Sequence, residues 1–129
     1  EVMRFTRGCP LVAHNAGFDR GFWRAETALA GQAPDPAHEF ACTVRLARRL
    51  YPQAPNHRLG TLAAWHRLPD SGRAHRALAD ATTTAHLLMR IEQDLALAVA
   101  PAPVSHALLC AVQGTAKGQL ERCLQRWER

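Results

Sequence analysis

Side chains able to do chemistry concentrate in two runs, Leu11-Val12-Ala13-His14-Asn15-Ala16-Gly17-Phe18-Asp19 and His75-Arg76-Ala77-Leu78-Ala79-Asp80-Ala81. Each sets a carboxylate beside a histidine or amide at what reads as an element boundary. Carboxylate oxygens are the ligands that hard divalent cations select. A histidine of ordinary pKa, near ~6.5, can take a proton from water at neutral pH. The chemistry these types suggest is metal-assisted hydrolysis. Plainer readings exist for each residue: Asp19 as a helix N-cap, Asn15 as a turn residue, Asp80 as the ion-pair partner of Arg76. Asp80 resists the plain reading most. Helical spacing sets it beside Ala77, Thr84, Leu87 and Ile91, at the margin of an apolar stripe, and a partly buried carboxylate needs a compensating cation.

The elements that must position these groups alternate between strand and helix. Residues 2–7 read as the end of a helix stopped by Gly8, and 10–14 as a short buried strand. Asn15, Ala16 and Gly17 make the turn, and Asp19 caps a helix that carries Phe22, Trp23, Ala25, Ala28 and Leu29 to a stop at Gly31. After the loop of Pro34 and Pro36, residues 39–42 form a second strand feeding a helix over 43–51. Strand, helix, strand, helix favours a parallel pairing. That places His14 and Asn15 at the carboxyl end of a strand, where open α/β sheets gather ligands. Residues 59–68 form a short helix, and 75–98 a long one with Leu78, Ala81, Ala85, Leu88 and Leu95 on its apolar stripe. A linker over 100–103 leads to a basic terminal helix in which Leu120, Cys123, Leu124 and Trp127 share one face, expected to dock on its own domain.

Length and composition narrow the class. At 129 residues and 47% hydrophobic, the chain can bury one real core but not two. A formal charge of +5, from 16 basic and 11 acidic residues, suits a polyanionic partner and equally suits solubility. Cys9, Cys42, Cys110 and Cys123 form no C-x-x-C pair, which argues against a zinc site or disulfide scaffold and favours a reducing, cytoplasmic setting. The apolar run over 95–100 is too short to span a bilayer and is followed by Pro101 and Pro103. Nothing in Glu1-Val2-Met3-Arg4 has signal-peptide character, and the start reads as a cut from a longer chain or a late start.

The first run resembles the second signature motif of the DnaQ-like (DEDDh) 3′-5′ exonucleases. The run from His75, continuing into Thr82-Thr83-Thr84-Ala85-His86-Leu87-Leu88, resembles the third. Between them, Cys42-Thr43-Val44-Arg45-Leu46-Ala47-Arg48-Arg49-Leu50-Tyr51-Pro52 and Leu59-Gly60-Thr61-Leu62-Ala63 are similar to the family's intervening helices, so the likeness covers residues 2–91. It implies an α/β fold of the ribonuclease-H-like kind and hydrolysis at DNA or RNA 3′ ends by two divalent cations, Mg²⁺ or Mn²⁺. It further implies that Asp19 and Asp80 are metal ligands, that His75 is the general base, and that His14, Asn15 and Phe18 lie at the terminal nucleotide, with His14 otherwise holding the strand end. A DNA polymerase is the implied protein partner, and such domains also dimerise.

One departure bears on activity. The family's first motif, Asp-x-Glu on an earlier strand, has no counterpart before Leu11. The expectation is therefore a domain in two parts: residues 1–99 as exonuclease fold carrying the second and third motifs without the opening three strands, and 100–129 as linker and helical tail. Such a chain is expected to bind catalytic metal poorly and to hydrolyse weakly or not at all. The competing reading is a catalytically inactive nucleic-acid-binding or protein-interaction module, in which Arg45, Arg48, Arg49 and Arg73 contact phosphates.

Overall fold

In a computed structural model that describes residues 2–32, 39–72 and 76–127, the alternation of strand and helix becomes a small parallel sheet with helices on its two faces. After α1 (Val2–Thr6), Gly8 turns the chain at φ 73° into β1 (Leu11–Ala13). From there α2 (Ala16–Leu29) crosses back to β2 (Phe40–Cys42), and a helical crossover of this kind makes the strands parallel. Leu11 faces Phe40, Val12 faces Ala41 and Ala13 faces Cys42. Then follow α3 (Thr43–Leu50), α4 (Leu59–Trp65), α5 (Ala77–Val99), α6 (His106–Gln113) and α7 (Leu120–Trp127).

Side-chain alternation along the strands sorts the core into two parts. Phe40 and Cys42 pack with Leu11, Ala13, Trp23 and Val44 on the face covered by α2. Ala41 and Val12 point the other way, into the main core of Leu46, Leu62, Leu87, Ile91, Leu95, Val99, Leu108 and Val112. The α2 face is thinner, because Trp23 reaches the sheet while Phe22 and Leu29 stay exposed.

Four expectations need correction. Asp19 does not cap α2. The cap is Asn15 at φ 69°, ψ 54°, and the helix starts directly at Ala16, so Asp19 lies in its first turn, where a carboxylate still favours the helix dipole. Asn is among the residues that tolerate this left-handed conformation, which lets one residue complete the strand-to-helix turn. The buried stripe of α5 also differs: Ala79, Leu87, Ile91, Leu95 and Val99 are buried, whereas Leu78, Ala81 and Ala85 are exposed and Leu88 is half-buried. Fourfold spacing slants around a helix of 3.6 residues per turn, and this slant lets α5 meet α3, α4 and α7 along its length. Helix α4 ends at Trp65 rather than at residue 68.

The last correction is α6, a helix between the linker over 100–103 and the terminal helix, where the sequence announces none. It is capped by Ser105, whose Oγ accepts the Leu108 N–H at 3.2 Å, and it buries Leu108, Leu109 and Val112. Helix α6 also closes the outer edge of β2 with side chains in place of a strand. Gln113 Oε1 accepts the Cys42 N–H at 2.6 Å, its Nε2 donates to the Phe40 carbonyl at 3.2 Å, and His106 Nε2 donates to the Glu39 carbonyl at 2.8 Å. The other sheet edge belongs to β1, which has no second strand partner among the described residues. Helix α7 packs on α5 and α6, with Leu120, Cys123, Leu124 and Trp127 against the main core as expected. No helix among the described residues is long and apolar enough to cross a membrane, and all four cysteines are free thiols.

Candidate active site

The carboxyl end of β1 is fastened by His14. Its Nε2 donates to the His57 carbonyl at 2.9 Å and its Nδ1 meets Thr43 Oγ1 at 2.8 Å. Burial holds the ring's pKa below the ordinary 6.5, the His57 backbone bond opposes that shift, and the Arg48 and His57 charges add to it. The imidazole is therefore neutral at pH 7. With the proton on Nε2 fixed by the carbonyl, Nδ1 accepts from the Thr43 hydroxyl. Thr43 is fully buried at the first position of α3, and its hydroxyl has a longer alternative acceptor in the Ala13 carbonyl at 3.4 Å.

This tie continues toward α5. His57 Nε2 donates to the Tyr51 carbonyl at 2.9 Å, and the Tyr51 hydroxyl donates to Asp94 Oδ2 at 2.5 Å, with Arg90 Nε 3.5 Å from the same oxygen. Burial, the Asp94 hydrogen bond and the Asp94 charge all raise the Tyr51 pKa, so it stays protonated. Its ring packs edge-on against His66, at a centroid distance of 4.3 Å, and against Trp65 at 5.6 Å. His66 Nε2 is buried with no hydrogen-bond partner among the described residues, and burial pushes its pKa below 6.5. The loop between α3 and α4 is thus locked to the strand end on one side and to α5 on the other.

The lock frames an open cleft of about 1200 Å³ whose lining includes His14, Asn15, Arg48, Arg58, Arg67 and Asp80. Asp80 lies in the first turn of α5, half-buried, and its carboxylate has no hydrogen-bond or ion-pair partner among the described residues. The ion pair with Arg76 is therefore not made. Thr84 Oγ1 donates to the Asp80 backbone carbonyl at 2.8 Å, not to its carboxylate.

Three of the sequence-predicted site residues, His14, Asn15 and Asp80, thus meet at one cleft. His14 arrives with its ring nitrogens committed to Thr43 and His57. Asp19 is exposed on α2 and is not part of the lining. Phe18 belongs to the first turn of α2, and its side chain lies outside the described residues, as do His75 and Arg73 entirely. Among the described residues no three His, Cys, Asp or Glu side chains gather as a metal site, so they do not by themselves fit a two-ion centre. Of the expected basic set, Arg48 lines the cleft. Arg49 is instead tied to the Thr115 carbonyl through Nε at 3.1 Å and Nη2 at 3.0 Å. The reading of the sequence missed Arg58 and Arg67, which bracket α4; their only signal is position, just outside a short apolar helix.

A family model described as Exonuclease, of the RNase T group, matches residues 1–88. The chain belongs to this exonuclease family, the DnaQ-like group. Over 96 residues, 73% of the chain, it is 40% identical to a PolC-type DNA polymerase III of Halalkalibacterium halodurans. The PolC-type enzyme of Bacillus subtilis is 37% identical over 67% of the chain. A putative bifunctional exonuclease/endonuclease protein of Mycobacterium tuberculosis is 46% identical over 60%. The aligned regions are 6%, 6% and 12% of those proteins' own lengths, so the chain spans a small part of each. No solved structure matches the chain. The mixed α/β architecture with its parallel strand pair agrees with an exonuclease domain of this family.

Proposed function

We propose that this chain is part of a 3′-5′ exonuclease domain with the ribonuclease-H-like fold, acting on DNA ends beside a replicative polymerase in the cytoplasm. The observation that carries the reading is Asp80: a half-buried carboxylate with no hydrogen-bond or ion-pair partner among the described residues, facing a cleft with arginines on its wall. In this reading Asp19 and Asp80 offer oxygens to Mg²⁺ or Mn²⁺, His75 takes the proton from water, and Asn15 and Phe18 lie beside the terminal nucleotide, with His14 holding the strand end. Bound cations would supply charge neutralisation and an activated water. Residues 1–99 carry these groups, and 100–129 brace the sheet edge and the main core.

A second reading, an inactive nucleic-acid-binding module on the same fold, is favoured by the absence of a three-donor cluster among the described residues. Incubating the purified chain with a 5′-labelled single-stranded DNA oligonucleotide and Mg²⁺ or Mn²⁺ separates the two. Slow stepwise loss from the 3′ end, reduced at least tenfold by Asp80→Asn at unchanged melting temperature, is the expected result. Binding without shortening supports the inactive module. Shortening from the 5′ end, or equal turnover by Asp80→Asn, refutes the assignment.

A further inference from the structure

Among the described residues three arginines line the cleft, and one of them sits on an unfavourable backbone. Arg67 follows α4 at φ 55°, in the left-handed region that glycine occupies freely and a long side chain resists. The local hydrogen bonds explain the geometry: Arg67 N–H returns to the Ala64 carbonyl at 3.1 Å and Leu68 N–H to the Ala63 carbonyl at 2.9 Å, closing the end of α4. They explain why the chain turns there, but not why an arginine occupies the turn. Arg58 stands at the opposite end of the same helix, as its N-cap residue, and makes no side-chain cap. Arg48 comes from α3. All three are exposed, line the cleft, and have no hydrogen-bond or ion-pair partner for their guanidinium groups among the described residues. Arg49, one residue from Arg48, spends its guanidinium on backbone carbonyls. The distinction is between an arginine used to hold the fold and arginines held out into an opening.

We propose that Arg58 and Arg67, with Arg48, form a phosphate track that grips the single strand behind its terminal nucleotide, and that Arg67 is kept in its strained turn to mark the far end of that track. This rests on the reading of the cleft as the seat of a nucleic-acid 3′ end. The span suits the role. Arg58 and Arg67 are separated by roughly 13 Å along α4 at about 1.5 Å per residue. A strand carries one phosphate per roughly 3.4 Å in helical stacking, so the track spans about four phosphate spacings. Asp80, at the start of α5, faces the same cleft from a different element. Asp70, a further acid in the lining, accepts the Gly72 N–H at 2.9 Å and so serves its own turn.

The test measures binding of a fluorescein-labelled hexathymidylate and of a labelled dithymidylate by anisotropy, in EDTA so that no hydrolysis occurs, across a salt series. Arg67→Gly is the decisive variant, because it relieves the backbone while removing the cation. Its melting temperature is expected to hold or rise while hexamer affinity falls about fivefold or more. The slope of log K against log salt should decrease in size by about 0.7, the value for one lost single-strand phosphate contact. Arg58→Ala should lower the slope similarly, and Arg24→Ala on α2 should leave it unchanged. Dimer binding, which does not reach the end of α4, should be insensitive to Arg67. Unchanged hexamer affinity and slope in Arg67→Gly, or an equal loss on dimer and hexamer, overturns the track. The exonuclease reading is decided separately by turnover and Asp80→Asn, so either can fail without the other.

Discussion

Thr43→Val tests the joint on which the strand end depends. The substitution keeps the shape of a fully buried residue and removes one hydroxyl, which faces His14 Nδ1 at 2.8 Å. His14 cannot recover by turning, because its Nε2 remains bound to the His57 carbonyl at 2.9 Å. A half-buried ring nitrogen is therefore left without a donor, at a cost of about 1–3 kcal/mol. With an unfolding entropy of about 2.1 cal/mol/K per residue, 129 residues give about 0.27 kcal/mol/K. The expected fall in melting temperature is then about 4–11 °C, read by circular dichroism at pH 7.5. A double-mutant cycle locates the cause. In a His14→Ala background, Thr43→Val should cost about 1 kcal/mol less than it does alone, since the partner is already gone. A fall below about 2 °C, or additivity within about 0.3 kcal/mol, would refute the claim that this pair fastens β1 to α3.

Acid should loosen the same region. Folding lowers the pKa of His14 and of His66 from 6.5, chiefly through burial, so below that pH the unfolded chain binds more protons than the native one and stability falls as pH drops. Urea midpoints should decrease from pH 7.5 to 5.5, and His14→Gln, which cannot titrate, should show a smaller decrease; identical decreases in the two proteins would remove His14 from the account. On α5, Leu87→Ala should cost about 2–5 kcal/mol because Leu87 is fully buried, whereas Leu78→Ala, at a residue 80% exposed, should stay within about 0.5 kcal/mol. Comparable losses at the two positions would mean that the helix presents a different face to the core.

The amino-acid order alone determined the alternation of elements. Short apolar runs, Gly8 and Gly31 as stops, and the Asn15 turn are local signals, and the crossover helix between two buried strands requires them to be parallel. It also determined the family, because the runs around Asp19 and Asp80 are contiguous, and the inward lean of Asp80, because Leu87 and Ile91 share its side of α5. What it could not determine depends on neighbours distant in the chain. The apolar residues of α5 lie all around the helix, so only packing against α3, α4 and α7 selects the buried set. Helix α6 has too short a pattern to stand out, yet Gln113 reaches 71 residues back to complete the edge of β2. Arginines look alike in sequence: the contrast between Arg49, bound to Thr115, and Arg67, held at positive φ beside the cleft, exists only once α4 and α6 have been placed around the sheet. Local residue chemistry sets which elements form, and long-range packing sets which side chains remain free to act.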